Sequence, residues 1–436
     1  MMSISEFKNK LLSSKLINDS FWSIVGNLVG RGLGLVAGIY VARGLGRDLF
    51  GEYSAIKNTV LFMSVISNFG LGFTATKFVA DYTKNAEFGH KLKWFIKYTN
   101  KITLFFSGIV AVFIFLFSKY FADNILEVPD LVDSVKLVSI LIIFNSLTTS
   151  QIGIISGLRK FKELAQINIV TGVISFLSTV ILVYYLNFLG AIYALIITQI
   201  ANAIINYILV FQTTKKIKTE TKPGSNILKE IVNYSTPVAF QDIIRSLSGF
   251  LMNILLIKLS GHSELGIYNA AIQWNSAILF IPGILRNVIL SYFSYYNDDA
   301  YSHNRILNIT ILINIIVTSV LSLGVFLFGD FISNFYGKTF SGLSVILTIS
   351  VFNTIFSSVN NVFEQAYLSK SLNWQMLLIR FCRELAILVL FVFLVNYHIF
   401  TGAYAIVLAI LVVSVLSLSF TIYYYKTKNK NFIFKI

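Results

Sequence analysis

The sequence predicts an all-α integral membrane protein with twelve transmembrane helices, arranged as two pseudo-symmetric six-helix bundles around a central cavity. Three observations lead to this class. The 436 residues are 56% hydrophobic and 13% charged, whereas soluble domains carry about 25% charged residues. Apolar segments of roughly the length that crosses a bilayer, about 20 residues, recur along the whole chain. A polar run at 213–230 divides them into two sets of six that resemble each other.

The apolar segments are continuous, which is typical of helices, and they lack the alternation of a membrane β-barrel. We interpret 213–230 as a cytoplasmic linker between an N-terminal bundle, 1–212, and a C-terminal bundle, 231–436. The predicted spans are 19–42, 51–73, 102–119, 133–156, 164–187, 190–212, 231–259, 265–290, 306–329, 341–366, 374–396 and 401–425.

Lysine and arginine are distributed unevenly over the predicted loops. Most lie on the side of both termini, and the loops of the other side carry only Arg43, Arg47, Lys119, Lys258 and Lys338. Short cytoplasmic loops are the positive ones, so we expect a multi-pass protein of the cell (cytoplasmic) membrane with both termini in the cytoplasm. The formal net charge of +15 then reflects topology and contact with anionic lipid headgroups, and no nucleic acid partner is expected.

One arginine lies near the middle of the first predicted span. Placing Arg31 there costs about 2.5–3.5 kcal/mol, so we expect it to face a protein interior or a water-filled cavity. Asn27 lies one helical turn earlier and shares its face. A stripe of small residues, predicted to pack closely against another helix on a face turned away from Arg31, consists of Gly26, Gly30, Gly34 and Gly38.

The two halves contain a matching segment. Residues 47–55 and 262–270 share the pattern Gly-x-Tyr-x-Ala. Nearly the same separation carries the pair Asn27–Arg31 onto Gln241 and Arg245. Because six spans return the chain to the same side, this is a parallel repeat, related by an axis along the membrane normal.

If the two halves face each other, their intramembrane cations can converge on a substrate. Arg31 and Arg245 form the first pair, and Lys57 and Arg286 form a looser second pair. Two alternatives stay open, since Arg245 is spaced to pair with Asp242, and Lys57 and Arg286 could reach lipid headgroups. The residues expected to line the same space are Asn27, Gln241, Asp242, Gln273, Trp274 and Asn275.

Charged residues elsewhere in the spans have simpler interpretations. Arg380 and Glu384 are spaced to form an ion pair with each other, beside Arg383. Glu364 is a candidate ion or proton site because an intramembrane carboxylate is costly. No HExxH, phosphate loop or Cys/His cluster is present. We therefore expect no enzyme, no catalytic residues, no metal site and no cofactor, with coupling to a Na⁺ or H⁺ gradient left open.

The sequence resembles the oligosaccharide repeat-unit (Wzx-type) flippases of the multidrug/oligosaccharidyl-lipid/polysaccharide exporter superfamily. The resemblance begins in the glycine-rich segment 26–44 and continues through Leu-Gly-Arg-Asp-Leu-Phe-Gly-Glu-Tyr at 45–53. It includes Asn-Phe-Gly-Leu-Gly at 68–72 and Ser-Gly-Leu-Arg-Lys-Phe at 156–161. The length, the span number and the six-plus-six repeat extend it over the chain.

This resemblance implies a flippase that moves undecaprenyl-diphosphate-linked oligosaccharide from the cytoplasmic to the outer leaflet by alternating access, for surface polysaccharide such as O-antigen or capsule. It implies a polyprenyl-diphosphate oligosaccharide and membrane lipids as partners, with other polysaccharide assembly proteins as further candidates. Arg31, Arg245, Lys57 and Arg286 would bind the diphosphate, and the amides, Asp242 and Trp274 would bind the sugars.

Two rival functions remain at this point. A multidrug/cation antiporter of the same superfamily would favour acidic residues in the cavity, whereas here the intramembrane cations outnumber the carboxylates. A membrane glycosyltransferase would use the acidic pair Asp298–Asp299, which lies in a short predicted loop.

Overall fold

The computed structural model describes residues 15–84, 89–215, 226–280, 282–283, 293, 299–370, 372–400 and 402–428. Every regular element in this part of the chain is helical, as predicted. The principal helices are α1 (Lys15–Asn68), α2 (Leu71–Lys84), α3 (Gly89–Leu116), α4 (Val132–Gly157), α5 (Phe161–Lys215), α6 (Asn226–Ile278), α7 (Ala300–Leu327), α8 (Gly329–Tyr336), α9 (Leu343–Ser369), α10 (Asn373–Asn396) and α11 (Gly402–Lys428). Short helical turns lie at Ser118–Tyr120, Phe121–Ile125, Pro129–Leu131 and Lys338–Phe340.

Eight of the described helices are long and apolar enough to cross a membrane by length and composition. Three of them, α1, α5 and α6, have 54, 55 and 53 residues, more than twice what one crossing needs. Each contains one non-helical residue, Gly46, Asn187 or Gly261 respectively, and so combines two predicted spans. Helix α10 adds a 24-residue element with charged residues in its first half. The predicted twelve spans are thereby accounted for.

The bends in α1 and α6 have the same backbone conformation. Gly46 has φ 74° and ψ 176°, and Gly261 has φ 85° and ψ 173°. Positive φ at this ψ is accessible to glycine and strained for other residues. The two glycines are separated by the same number of residues as Gly51 and Gly266, so the sequence repeat is also a repeat of local structure. A second equivalent pair, Phe117 and Phe328, ends α3 and α7 with ψ 14° at both residues.

The described residues form two compact units. The first comprises the chain up to Gly44 and Glu52–Ile254, and the second comprises Leu45–Gly51 and the chain from Leu255 onward. The predicted domain boundary in 213–230, most of which lies outside the described residues, stays a prediction.

Within the second unit, the repeated motif forms a close backbone crossing. A Cβ atom on Gly51 would overlap the carbonyl of His262, and one on Gly266 would overlap the carbonyl of Arg47. Arg47 also forms an ion pair with Glu264, whose carboxylate accepts a 2.6 Å hydrogen bond from the backbone N–H of Ala403. The glycines of the motif therefore permit helix contact.

The interior of the first unit contains a network of hydroxyl groups. Ser67 Oγ lies 2.6 Å from Ser146 Oγ, and Thr103 Oγ1 lies 2.8 Å from Ser150 Oγ. Asn68 Nδ2 donates to Ser150 Oγ at 3.1 Å. These bonds join α1, α3 and α4, and satisfying polar groups between helices is what packing in a bilayer requires.

Candidate functional site

A cavity of about 430 Å³ lies in the first unit, between α1, α4 and α5. This volume falls within the range of about 300–1,000 Å³ that is usual for small-molecule sites. We call it the Arg31 cavity. Its lining includes one arginine, four amide side chains and a hydroxyl group: Arg31, Asn27, Asn168, Gln199, Asn202 and Thr198.

Glycines bring α1 and α5 together beside this cavity. A Cβ atom on Gly26 would overlap Ala165, and one on Gly172 would lie 2.9 Å from the Cα atom of Gly30. The predicted close helix contact is therefore present, and its partner is the first part of α5.

The predicted direction of the glycine stripe is wrong, because Gly30 and Gly34 line the same cavity as Asn27 and Arg31. The reason is helical geometry. Residues four apart are separated by about 400° around a helix of 3.6 residues per turn, so a four-residue stripe rotates by about 40° at each step. This rotation brings the stripe toward the polar face by Gly34.

The amides of the cavity are held by hydrogen bonds within the first unit. Asn168 Nδ2 donates to Asn27 Oδ1 at 3.2 Å, which connects α5 to α1. Gln199 donates to Asn145 Oδ1, which connects α5 to α4. Asn202 accepts from Asn206 through both its backbone and side-chain oxygens at 2.8 Å. The cavity wall is thus a set of pre-positioned amide groups.

The charge of the cavity comes from Arg31. This residue is exposed, and its neighbour on the helix face is Asn27, as predicted from their spacing. No described residue that lines the cavity is acidic. A cation surrounded by amides and hydroxyls attracts an anion that also carries hydrogen-bonding groups.

The comparisons with known proteins agree with this architecture. Residues 16–296 match the family described as polysaccharide biosynthesis protein. The chain belongs to that family. This match agrees with the sequence resemblance to the oligosaccharide repeat-unit flippases. A curated relative, an uncharacterized membrane protein of Methanocaldococcus jannaschii, is 23% identical over 322 residues, which cover 70% of this chain and 74% of that protein.

Solved structures of the superfamily show the same fold. One, described as the inward-facing conformation of a multidrug resistance MATE family transporter of the MOP superfamily, has a TM-score of 0.74 at 14% identity, covering 94% of this chain and 98% of that one. A second, a MATE protein in complex with MaL6, has a TM-score of 0.70 at 12% identity, covering 95% of each chain. A third is a MOP superfamily transporter from Pyrococcus furiosus, described as having a binding pocket of reverse polarity that suggests a different function; its TM-score is 0.64 at 14% identity, covering 95% of each chain.

The other cations predicted to bind substrate are not among the described residues that line the Arg31 cavity. Arg245 donates to Asp242 at 2.8 Å, which is the ion pair that their spacing allowed. Lys57 is half-buried on α1, and within the described part of the chain it forms no ion pair. Arg286 and the side chain of Gln241 lie outside the described residues.

The predicted sugar-binding residues at the end of α6 contact the second unit's own helices. Trp274 Nε1 donates to the hydroxyl of Tyr336 at 3.0 Å, and Asn275 Nδ2 donates to Ser350 Oγ at 2.8 Å. Gln273 is half-buried beside them. Their role in binding a substrate stays a prediction.

Three of the carboxylates considered in the sequence, Glu364, Glu384 and Asp299, have partners among the described residues. Glu364 accepts a 3.0 Å hydrogen bond from Arg380 on the neighbouring helix α10, so it is a paired group. Arg383 pairs with Glu384 at 2.6 Å. Asp299 caps the start of α7 by accepting from the backbone N–H groups of Tyr301 and Ser302 at 3.1 and 3.2 Å; Asp298 lies outside the described residues.

Sequence reasoning missed most of the cavity wall. Asn168, Gln199 and Asn202 lie inside long apolar spans, where an amide is costly unless it has a partner. Their signal was present, because Gln199 and Asn202 are three residues apart and therefore share a helix face. The amides predicted to line the cavity were chosen on the first, seventh and eighth predicted spans, so those of α5 were not among them.

Proposed function

We propose that the protein is a flippase that translocates undecaprenyl-diphosphate-linked oligosaccharide repeat units from the cytoplasmic to the outer leaflet by alternating access, for surface polysaccharide biosynthesis. The observation that carries the proposal is the Arg31 cavity, in which one arginine is surrounded by amides and no described lining residue is acidic. The family's description as polysaccharide biosynthesis protein supports it.

The chemistry of such a substrate fits this wall. A diphosphate is anionic and cannot cross hydrocarbon unaided, and a guanidinium can bind its oxygens through two parallel hydrogen bonds. Asn27, Asn168 and Gln199 offer both donors and acceptors, which sugar hydroxyl groups require. The prenyl chain can remain in the lipid, so the cavity need enclose only the polar head.

Further residues are assigned to the same path on the strength of the repeat and the family resemblance. Arg245, Lys57 and Arg286 would join Arg31 in contacting the diphosphate. Gln241, Asp242, Gln273, Trp274 and Asn275 would join Asn27 in contacting sugars. The basic loops place both termini in the cytoplasm of a cell membrane protein, and a Na⁺ or H⁺ gradient would drive net export.

A multidrug antiporter is the second candidate, because the structural neighbours include multidrug resistance transporters. The polarity of the cavity favours the first function, since a cationic drug would be repelled by Arg31. The Pyrococcus furiosus neighbour, described as having a pocket of reverse polarity that suggests a different function, shows that this fold is not restricted to one pocket charge.

The test is transport by purified protein in liposomes. A fluorescent undecaprenyl-diphosphate glycan and a fluorescent organic cation are offered separately, with and without imposed Na⁺ and H⁺ gradients. We expect the glycan lipid to change leaflets and the cation to stay outside. Accumulation of the cation without glycan-lipid movement would replace the flippase by the antiporter.

A further inference from the structure

The exposed side of α3 carries a stripe whose chemistry changes abruptly along the helix. Lys93, Lys97 and Lys101 are four residues apart and all exposed, so they lie on one face. The same face continues with large apolar residues that are 52–70% exposed. These are Phe105, Ile109, Val112 and Leu116.

The length of this stripe fits a headgroup region followed by more than half of the hydrocarbon core of a bilayer. At 1.5 Å per residue, the lysines extend over about 12 Å and the apolar part beyond Lys101 over about 22 Å. The hydrocarbon core is about 30 Å thick, and the headgroup regions lie outside it. The step from Lys101 to Phe105 therefore marks the boundary between headgroups and acyl chains.

Two aromatic residues flank the lysines at this boundary. Trp94 and Tyr98 are half-buried, with ring centroids 6.1 Å apart, and they pack against the buried core of the first unit. Lys97 Nζ lies 5.0 Å from the centroid of the Trp94 ring. Tryptophan and tyrosine are enriched at the membrane–water interface. Their presence beside the lysines agrees with placing this part of α3 at headgroup level.

No ion pair joins the three lysines to an acidic residue in the described part of the chain. Three ammonium groups within about 12 Å thus present an uncompensated positive charge at headgroup level, directly above an apolar surface.

The equivalent helix of the second repeat shows that insertion alone does not require these lysines. We match α7 to α3 by aligning Phe328 with Phe117. In this alignment the stripe of α3 from Lys101 onward corresponds to large apolar residues on α7 that are 45–67% exposed, namely Leu312, Ile316, Val320, Leu323 and Leu327. The positions equivalent to Lys93 and Lys97 are Asn304 and Asn308, and Leu312 is equivalent to Lys101. The lysine stripe is therefore a feature of the first repeat alone.

We propose that this stripe of α3 is a binding site for an acidic phospholipid, with the headgroup phosphate held by Lys93, Lys97 and Lys101 and an acyl chain lying along Phe105, Ile109, Val112 and Leu116. The inference does not depend on the transported substrate. The lysine side chains are flexible point charges, which suit a phosphodiester of any orientation.

Trp94 reports directly on this site by fluorescence quenching. The protein is reconstituted in phosphatidylcholine vesicles that contain increasing fractions of brominated phosphatidylglycerol or, separately, brominated phosphatidylcholine. The emission of Trp94 is obtained by subtracting that of the variant Trp94→Phe. We expect the acidic lipid to associate at least about fivefold more strongly than phosphatidylcholine, as for a basic residue at an anionic surface.

The decisive variant is Lys93→Gln/Lys97→Gln/Lys101→Gln, which should reduce the preference to near one. The matched control removes three exposed lysines elsewhere, Lys119→Gln/Lys258→Gln/Lys338→Gln, and should keep it. If the test variant does not fold, raising the salt concentration around the wild-type protein should weaken the preference by screening. A wild-type preference near one, equal loss in both variants, or displacement of the brominated acidic lipid only by a prenyl diphosphate would overturn the proposal.

Discussion

Arg31 illustrates how much of a site one side chain can reveal. Its position in the middle of an apolar segment predicted a cavity, and the structure places it in one beside Asn27. The rest of the wall depends on which helices pack against α1, and the sequence does not specify that partner. Asn168 became a neighbour of Asn27 only because α5 packs on the glycines of α1.

Glu264 is the clearest structural residue outside the cavity. Its carboxylate pairs with Arg47 and accepts from Ala403 N–H at the start of α11, and its side chain is 24% exposed. We expect Glu264→Gln to lower the stability of the second unit by about 1–3 kcal/mol, because the partly buried Arg47 loses its anionic partner and keeps only a neutral amide oxygen as acceptor. Thermal unfolding in detergent would measure this.

The control for Glu264 is a more exposed ion pair of similar chemistry. Asp133 and Lys136 are 3.0 Å apart, with 89% of the Asp133 side chain exposed. Asp133→Asn should change stability by less than about 1 kcal/mol. If the two substitutions changed the free energy of unfolding equally, the contacts of Glu264 would stabilise the protein no more than an exposed ion pair does.

At the scale of the element, the contact between α1 and α5 sets the cavity wall. We expect Gly26→Ala to destabilise the protein by about 1–3 kcal/mol, because the added methyl group overlaps Ala165 and the helices must separate. Gly32→Ala on the same helix meets no atom within 4 Å and should be neutral or slightly stabilising. The unfolding temperatures of the two variants and the wild type would test this. A Gly26→Ala protein more stable than the wild type would contradict the close packing of α1 on α5.

The start of α7 should depend on pH through its cap. Hydrogen bonds from Ser302 hold the pKa of the Asp299 carboxyl below its usual value. A carboxyl whose pKa is lowered by folding stabilises the helix start above its usual pKa, and this contribution is lost as the pH falls through the lowered value. Amide hydrogen exchange at Tyr301 and Ser302, corrected for its intrinsic pH dependence, should show protection weakening on acidification.

Asp299→Asn provides the matched variant for this prediction. Asparagine also caps helices but does not titrate, so the protection of Tyr301 and Ser302 should become independent of pH in the acidic range. The same loss of protection in the asparagine variant would mean that another group titrates there.

At this scale, the sequence predicted the number of helical spans well and their connections poorly. The polar residues around Gly46 indicated a loop of several residues, whereas the structure shortens this connection to a break at the one glycine. The difference arises because close backbone contacts in the second unit, at Gly51 and Gly266, stabilise helix up to the bend. Such tertiary contacts override local propensity.

At the scale of the whole molecule, the two halves of the chain repeat the same local devices. Gly46 and Gly261 bend their helices with similar dihedral angles, and both halves end the helix of their third predicted span at a phenylalanine. The polar contents of the two units differ, however. The Arg31 cavity is lined by described residues of the first unit.

If the charge of Arg31 selects an anionic lipid-linked substrate, as we propose, reversing that charge should abolish transport. The rate of flipping of a fluorescent undecaprenyl-diphosphate glycan would be measured in liposomes for wild type, Arg31→Lys, Arg31→Glu and the control Arg305→Glu, which reverses an exposed charge at the start of α7. We predict near-complete loss in Arg31→Glu, partial activity in Arg31→Lys and normal rates in Arg305→Glu. Flipping at the wild-type rate by a folded Arg31→Glu protein would contradict the claim.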